Sequence, residues 1–116
     1  MKDYINYSIT EYEGIKVVEL VGSLASNTIK QLESLILPVI ENESVMINMS
    51  NIRSVTTAGI NTIMDLSFVA KEKGRRIVIL WPNDDLLNMT EMLDVHEFLI
   101  YAESMEEGRT KIKFYT

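Results

Sequence analysis

Apolar and polar residues alternate over residues 3–9, a period of two that predicts a half-buried β-strand. The apolar positions on one face of this strand are Ile5, Tyr7 and Ile9. Residues 15–21 are rich in β-branched side chains and predict a second strand. Because the Glu13-Gly14 pair between them is a turn signal, the two segments predict an antiparallel hairpin.

Beyond Gly22, apolar residues recur at helical spacing and predict a first helix. Ser26 or Asn27 is its expected N-cap, because either side chain can accept a hydrogen bond from a backbone N–H that has no partner in the helix. Pro38 has no N–H to donate. We therefore expect this helix to kink or end near Leu37.

The middle of the chain predicts two buried strands with a helix between them. Residues 45–49 form a short apolar run typical of a strand covered on both faces, and residues 77–80 form another. Residues 50–57 are polar and predict an irregular loop. A second helix is expected from about residue 58 to 73, ended by Gly74. Its predicted inner stripe is Ile60, Ile63, Met64, Ser67 and Ala70.

The last third of the chain predicts a further helix, a short strand and a terminal helix. Asn83 is the expected N-cap of the third helix, and residues 98–101 predict the strand. Ser104 and Glu107 have the spacing of a capping box, which starts a brief terminal helix. Residues 110–115 alternate again and favour an extended segment. The order β-β-α-β-α-β-α-β-α predicts an α/β fold with a mixed, mostly parallel sheet, an N-terminal hairpin and crossover helices.

Composition narrows the class of protein. A chain of 116 residues is the usual size of one domain, so we expect a single domain over residues 1–116. The chain has 11 Lys and Arg against 17 Asp and Glu, a net charge of −6, which disfavours binding to nucleic acid. It has no Cys and one His, so we expect neither a metal site nor a cofactor. No apolar run approaches the length of about 20 residues that spans a bilayer. We therefore expect a cytoplasmic protein that does not insert directly into a membrane.

The residues give no sign of catalysis. No Gly-x-Ser-x-Gly, Walker A or Gly-x-Gly-x-x-Gly motif is present. His96 is the single imidazole and is expected near the end of a helix. The acidic pairs Asp84-Asp85 and Glu106-Glu107 lie where helices are predicted to start, where the helix dipole accounts for them. We predict a binding protein rather than an enzyme.

The segment from Asn48 to Ile60 joins a predicted buried strand to the second helix through hydroxyl-bearing residues. In parallel α/β sheets, functional sites lie just beyond the carboxyl ends of strands. Thr56 and Thr57 fall at the start of the helix. Taken alone, a threonine at this place is sufficiently explained as an N-cap, and a functional role is the alternative.

Three segments together resemble the STAS domain family of anti-sigma factor antagonists. Residues 48–60 are similar to the family signature, approximately Asp-Leu-Ser-x-Val-x-x-Ile-Asp-Ser-Ser-Gly-Leu. Residues 22–28 resemble the family's entry into its first helix. Residues 86–107 resemble its closing helix, strand and terminal helix. The positions that match the signature are Ser50, Ile52, Val55, Gly59 and Ile60. The resemblance implies a STAS-like fold and a non-enzymatic role in a bacterial partner-switching pathway.

The resemblance also implies a partner and a modification. In the family, the first Ser of the Asp-Ser-Ser-Gly stretch is phosphorylated by a Ser/Thr kinase that is also the anti-sigma factor. That position is Thr57 here, with Thr56 and Ser54 as further candidates. Acids of the family are replaced by Asn48, Thr56 and Ala25. Two outcomes therefore stay open. One is a phosphorylated antagonist. The other is an unphosphorylated STAS-type subunit or scaffold of another complex, in lipid transport or signalling.

The predicted partner-binding surface joins the entries to the first and second helices. Its residues are Ser23, Ser26, Asn27, Thr28, Ser54, Thr56, Thr57, Ala58 and Gly59. Gly59 is expected to allow close backbone packing where the second helix begins. Arg53 in the same segment is either solvated or in contact with the partner.

Overall fold

The elements of the chain follow the predicted order. A computed structural model describes residues 4–94 and 99–116. In chain order the elements are β1 (Ile5–Tyr12), β2 (Ile15–Leu24), α1 (Ile29–Ile40), β3 (Val45–Val55), α2 (Thr57–Glu72), β4 (Ile77–Leu80), α3 (Asp84–Met92), β5 (Ile100–Ala102) and α4 (Met105–Tyr115). The predicted fold class is confirmed.

Within the described residues, five strands form one mixed sheet in the order β1-β2-β3-β4-β5. β1 and β2 are antiparallel, and every later neighbour pairs in parallel. The hairpin turn contains Glu13 and Gly14 with φ angles of 48° and 84°. Two consecutive residues with positive φ suit the twist of a two-residue hairpin, so the predicted turn is confirmed.

Two apolar clusters cover opposite faces of the sheet. Alternate residues of β2, β3 and β4 point into the larger and the smaller cluster, as in Val18 and Val17 of β2. α1, α2 and α3 pack on the larger cluster, and α4 contributes Ile112 to the smaller one. Because helices cover both faces, residues 45–49 and 77–80 of the inner strands are buried, as predicted.

β1 is exposed rather than half-buried. Tyr7 retains 58% and Ile9 45% of its accessible surface, so the prediction of a buried face was wrong. Only the two ends of the strand touch the core, through Ile5 and Tyr12. The alternation is real, but β1 lies at the sheet edge, where the helices that pack on the inner strands leave it uncovered.

α1 differs from its prediction at both ends. Its N-cap is Thr28, not Ser26 or Asn27, and no side chain caps it. Pro38 lies inside the helix, which continues to Ile40. A proline in the last turn removes one donor only, and the backbone N–H that follows the helix still bonds back into that turn.

β3 extends to Val55, so most of the loop predicted for residues 50–57 is strand. Its polar second half stays extended because β2 runs beside it as far as Leu24 and supplies backbone partners. Two shifts of register in this pair accommodate the change from an apolar to a polar segment. Sequence polarity therefore did not mark the end of the strand.

The C-terminal segment is helical, and the extended segment predicted for residues 110–115 was wrong. α4 runs to Tyr115 and buries Ile112. Six alternating residues are too few to separate a strand from a helix. The predicted strand at 98–101 appears as Ile100–Ala102. Its first residue and His96 lie outside the described residues.

The α2 stripe was partly misassigned. Ile60, Ile63 and Ala70 are buried as predicted. Met64 and Ser67 are half-buried. The helix instead buries Thr62 and Leu66, which turns its inner face by about one residue from the prediction. No helix among residues 4–94 and 99–116 has both the length and the apolarity to cross a bilayer.

A pair of glycine substitutions tests the packing of the hairpin. Gly22 has φ 131°, and a Cβ there would overlap the carbonyl oxygen of Tyr4. Gly14 has φ 84° with no neighbouring atom in the way. We expect Gly14→Ala to lower the free energy of unfolding by about 1 kcal/mol. We expect Gly22→Ala to lower it by more than about 4 kcal/mol, because a backbone must also move. Urea unfolding followed by circular dichroism measures both; equal losses would contradict this account.

Candidate functional site

The carboxyl ends of β2 and β3 bring the two predicted binding segments together. In the parallel register Ser23 lies opposite Ser54, and Leu24 lies opposite Val55. The two strands therefore end side by side, and the chain leaves each of them at the same edge of the sheet. The exposed residues here are Ser26, Asn27, Ser54, Thr56 and Thr57, which we call the Thr57 surface.

Thr56 is the N-cap of α2 and joins the helix to β2. Its Oγ1 accepts a hydrogen bond from the Gly59 N–H at 3.2 Å, and its hydroxyl lies 3.2 Å from the Leu24 carbonyl oxygen, to which it donates. Its backbone N–H also donates to that oxygen at 2.9 Å. The cap interpretation is therefore correct for Thr56, whose side chain is already in use.

Thr57 is the first residue of α2 and is exposed. Its hydroxyl makes no hydrogen bond to any residue in the described part of the chain. A threonine at this position needs no cap partner, because Thr56 already occupies the capping position. Of the two threonines, Thr57 is the one whose hydroxyl remains available for another function.

Gly59 holds α2 against the end of β2. A Cβ at this position would lie 2.7 Å from the Leu24 carbonyl oxygen and 2.8 Å from the Leu24 Cβ. The predicted close packing is therefore confirmed. Gly59 itself is buried, and Ala58 is half-buried. Of these three consecutive residues, Thr57 alone is fully presented to solvent.

Ser23 and Thr28, both predicted to bind the partner, are buried to 3% and 1% exposure. The Thr28 hydroxyl donates to the Ser23 carbonyl at 2.7 Å and accepts from the Ala25 N–H at 3.0 Å. These bonds close the turn that presents Ser26 and Asn27 to solvent. The structure thus gives Ser23 and Thr28 a supporting place beneath the Thr57 surface.

The residues that replace the family acids occupy different environments. Asn48 is 9% exposed, and its Oδ1 accepts hydrogen bonds from the Ser50 N–H at 2.9 Å and the Ser50 hydroxyl at 2.8 Å. Ala25 is 6% exposed. Thr56 is the helix cap. The first two are therefore interior residues, and Thr56 alone of the three lies on the Thr57 surface.

Two contacts beside this surface were not visible in the sequence. The Arg53 guanidinium lies 4.9 Å from the centre of the Tyr4 ring, a cation–π arrangement. Asn83, the confirmed N-cap of α3, also donates from its amide to the Ile52 carbonyl. Both partners are distant in sequence, so no local signal could have revealed them. Together they fix the last part of β3 from two sides.

Charge divides the helix starts into two groups. α1 and α2 have no acid in their first turns, whereas α3 has Asp84 and Asp85 and α4 has Glu106 and Glu107. The partial positive charge at the start of α2 is therefore not neutralised by a carboxylate in its own first turn. No cluster of His, Cys, Asp or Glu within residues 4–94 and 99–116 has the size to hold a metal ion.

Among the described residues, the titrating groups with shifted pKa values lie on β5 and α4. Burial raises the pKa of the Tyr101 phenol, which donates a hydrogen bond to Thr90. The hydrogen bond from Lys111 lowers the pKa of the Glu107 carboxyl, which is partly exposed. Neither group belongs to the Thr57 surface, whose five residues carry no charged side chain, and the charged residue beside it is Arg53.

Substituting each of the two adjacent threonines compares the stability contributed by a capping hydroxyl with that of a hydroxyl that makes no hydrogen bond. Thr56→Ala removes the cap and should lower the free energy of unfolding by about 1 kcal/mol. Thr57→Ala removes an unbonded hydroxyl and should change it by less than about 0.5 kcal/mol. Urea titration of both variants gives the difference. A loss at Thr57→Ala as large as that at Thr56→Ala would contradict these roles.

Comparison with solved structures places the fold among known ones. An anti-sigma factor antagonist from Mycobacterium paratuberculosis has 14% sequence identity and a TM-score of 0.77, with 95% of each chain covered. The anti-sigma factor antagonist SpoIIAA in its unphosphorylated form has 13% identity and a TM-score of 0.73, over 94% of this chain and 97% of that one. The Bacillus cell fate determinant SpoIIAA in its phosphorylated form has 14% identity and a TM-score of 0.67, over 92% and 99%. At these identities the likeness shows the fold.

A search of curated protein sequences found no match. The profile of the STAS domain family matches residues 6–108, which covers most of the chain and includes both segments of the Thr57 surface. On this match and on the fold, the chain belongs to the STAS domain family.

Proposed function

We propose that this STAS domain is a non-enzymatic docking module of a bacterial partner-switching pathway, acting in the cytoplasm as an anti-sigma factor antagonist. Its partner is a kinase-type anti-sigma factor, which binds at the Thr57 surface and phosphorylates Thr57. The observation that carries the proposal is the exposed, unbonded hydroxyl of Thr57 at the first residue of α2. Thr56 and Ser54 are the secondary phosphorylation candidates.

The start of α2 suits a phosphoryl group. A phosphothreonine carries a charge of about −1.5 to −2 at neutral pH, and a helix N-terminus stabilises such a charge. α2 has no acid in its first turn to oppose it. The cap made by Thr56 does not involve Thr57, so modification leaves the hydrogen bonds of the helix start intact. The domain thus stays folded while its surface changes.

The charge that phosphorylation adds is large for a surface made of uncharged side chains. Ser26, Asn27 and Ser54 are exposed beside Thr57, and none of them carries a charge. A partner surface that fits this neutral patch would face a new dianion after modification, with a cost in desolvation or repulsion. Phosphorylation would then release the partner through local electrostatics alone.

The comparisons support the proposal by analogy. The structural neighbours include anti-sigma factor antagonists, a name that states an action on an anti-sigma factor. One of them, SpoIIAA, has been solved in a phosphorylated form. The family resemblance carries the phosphorylated position to Thr57 by the signature that ends at Ile60.

A charge substitution separates docking from folding. Thr57→Glu places a permanent acid in the first turn of α2, where the dipole tolerates it, so stability should hold within about 1 kcal/mol. Binding to the purified kinase-type anti-sigma factor of the source organism should weaken by at least about tenfold. Isothermal titration calorimetry gives the affinity, with Thr57→Val expected to bind as the unmodified chain does.

Thr110→Glu is the matched control, because it adds the same charge at an exposed position of α4. It should leave the affinity unchanged. Incubation of the complex with ATP followed by mass spectrometry should place one phosphoryl group on Thr57. If Thr57→Glu binds as tightly as the control and no hydroxyl is modified, the switch is refuted and a constitutive scaffold remains.

A further inference from the structure

Among residues 4–94 and 99–116, no strand pairs with the outer edge of β1. β1 occupies the end of the sheet and pairs with β2 over all eight residues from Ile5 to Tyr12 without a register shift. Such an edge is a template for another strand, and proteins usually protect it with Pro, Lys, a bulge or short length. β1 contains no Pro, Lys or Arg and no bulge. Its outer edge is therefore open to a regular strand.

The outward backbone groups are identified by the hairpin register. The Tyr4 carbonyl accepts from the Ser23 N–H at 2.9 Å, so Tyr4 faces β2. Because the direction alternates along an antiparallel strand, the N–H and C=O groups of Ile5, Tyr7, Ile9 and Glu11 point away from β2. A second strand would bond to these four residues.

Apolar side chains accompany these backbone groups. Tyr7 and Ile9 are 58% and 45% exposed on the face where Ile5 meets the larger core cluster. A groove of about 370 Å³ opens between this face and α1, lined by Ile5, Tyr7, Gln31, Ser34 and Leu35. A strand added to β1 would bring its own side chains beside this groove.

The low charge of β1 permits pairing with a second copy of the same strand. The chain carries a net charge of −6, yet β1 contains Glu11 as its one charged residue. Two copies of β1 can therefore approach with little local repulsion, whereas a basic partner would find little on β1 to recognise. When two copies of β1 are set antiparallel, the apolar face of one strand lies on the same side as the apolar face of the other, and the two polar faces also lie on one side.

We propose that β1 pairs antiparallel with β1 of a second copy of this chain, joining two sheets into one across a two-fold axis. Hydrogen bonding requires outward residues to lie opposite outward residues. The longest such overlap sets Ser8 opposite Ser8 and Tyr7 opposite Ile9. This register forms aromatic–β-branched cross-strand pairs, and it sets Glu11 opposite Ile5 rather than opposite another acid.

The pairing leaves the Thr57 surface free, because that surface lies at the carboxyl ends of β2 and β3 rather than along β1. A dimer would present two such surfaces. One strand pair buries less than a standard interface of about 1,200–2,000 Å², so association should be reversible. Salt should strengthen it, because screening reduces the repulsion between two copies of charge −6.

Sedimentation equilibrium of the full chain tests the association. Between about 1 μM and 1 mM, the average mass should rise from 13.3 kDa towards twice that value, and more steeply in high salt. Ile9→Glu should weaken dimerisation at least about tenfold by placing two acids across the axis. Asn88→Glu adds the same charge on an exposed position of α3 and should have no effect. The proposal is overturned if the chain stays monomeric over this whole concentration range, or if Ile9→Glu leaves the dimerisation affinity unchanged.

Cross-linking tests the register. The chain has no Cys, so a single introduced Cys can form a disulfide only between copies. In the proposed register, the two copies of Ser8→Cys lie directly opposite each other as a non-hydrogen-bonded pair. Their Cα atoms are about 4.5 Å apart, a distance that a disulfide spans. In the same register two copies of Thr10→Cys lie about 14 Å apart. Oxidation should link Ser8→Cys at least tenfold more than Thr10→Cys; equal or absent linking overturns the register.

Discussion

The paired ends of β2 and β3 are the constraint on which the rest of the Thr57 surface depends. The Leu24 carbonyl accepts from both the backbone and the side chain of Thr56, and Gly59 lets α2 approach to contact distance. These contacts determine where α2 begins, and therefore which threonine forms the N-cap. The position of Thr57 follows from this junction, because Thr56 is held to Leu24 and caps the Gly59 N–H, which makes Thr57 the first residue of the helix.

Most of the fold was predictable because its signals are local. A few consecutive residues are enough to recognise the apolar runs of β3 and β4 and the turn before β2. The same is true of the caps Asn83 and Ser104. The errors arose where tertiary contacts outweigh local pattern. The second half of β3 is polar but is held by β2, and the alternation of β1 suggests a buried face that no helix covers.

The candidate site was predictable as a place but not residue by residue. The carboxyl-end rule and the family signature both pointed to the segment around Thr57. Burial could not be inferred, because the exposed Ser26 and the buried Ser23 are both serines near a helix start. What separates them is their place in the fold: Ser23 lies in β2 beside β3, and its carbonyl accepts from the Thr28 hydroxyl, whereas Ser26 lies in the turn beyond the strand.

The replacement of a family acid by Thr56 is directly related to the electrostatic environment of Thr57. With Thr56 in place of an acid, the start of α2 has a neutral cap and no first-turn carboxylate, while α3 and α4 each begin with two acids. An anion added at Thr57 therefore meets an uncompensated helix dipole, whereas one added at the start of α3 or α4 would meet existing negative charge. Of the four helix starts in the described residues, that of α2 alone combines an exposed threonine with a first turn free of acids, so electrostatics favour a phosphoryl group there. The substitutions that depart from the family signature thus leave the position proposed for phosphorylation suited to a phosphoryl group.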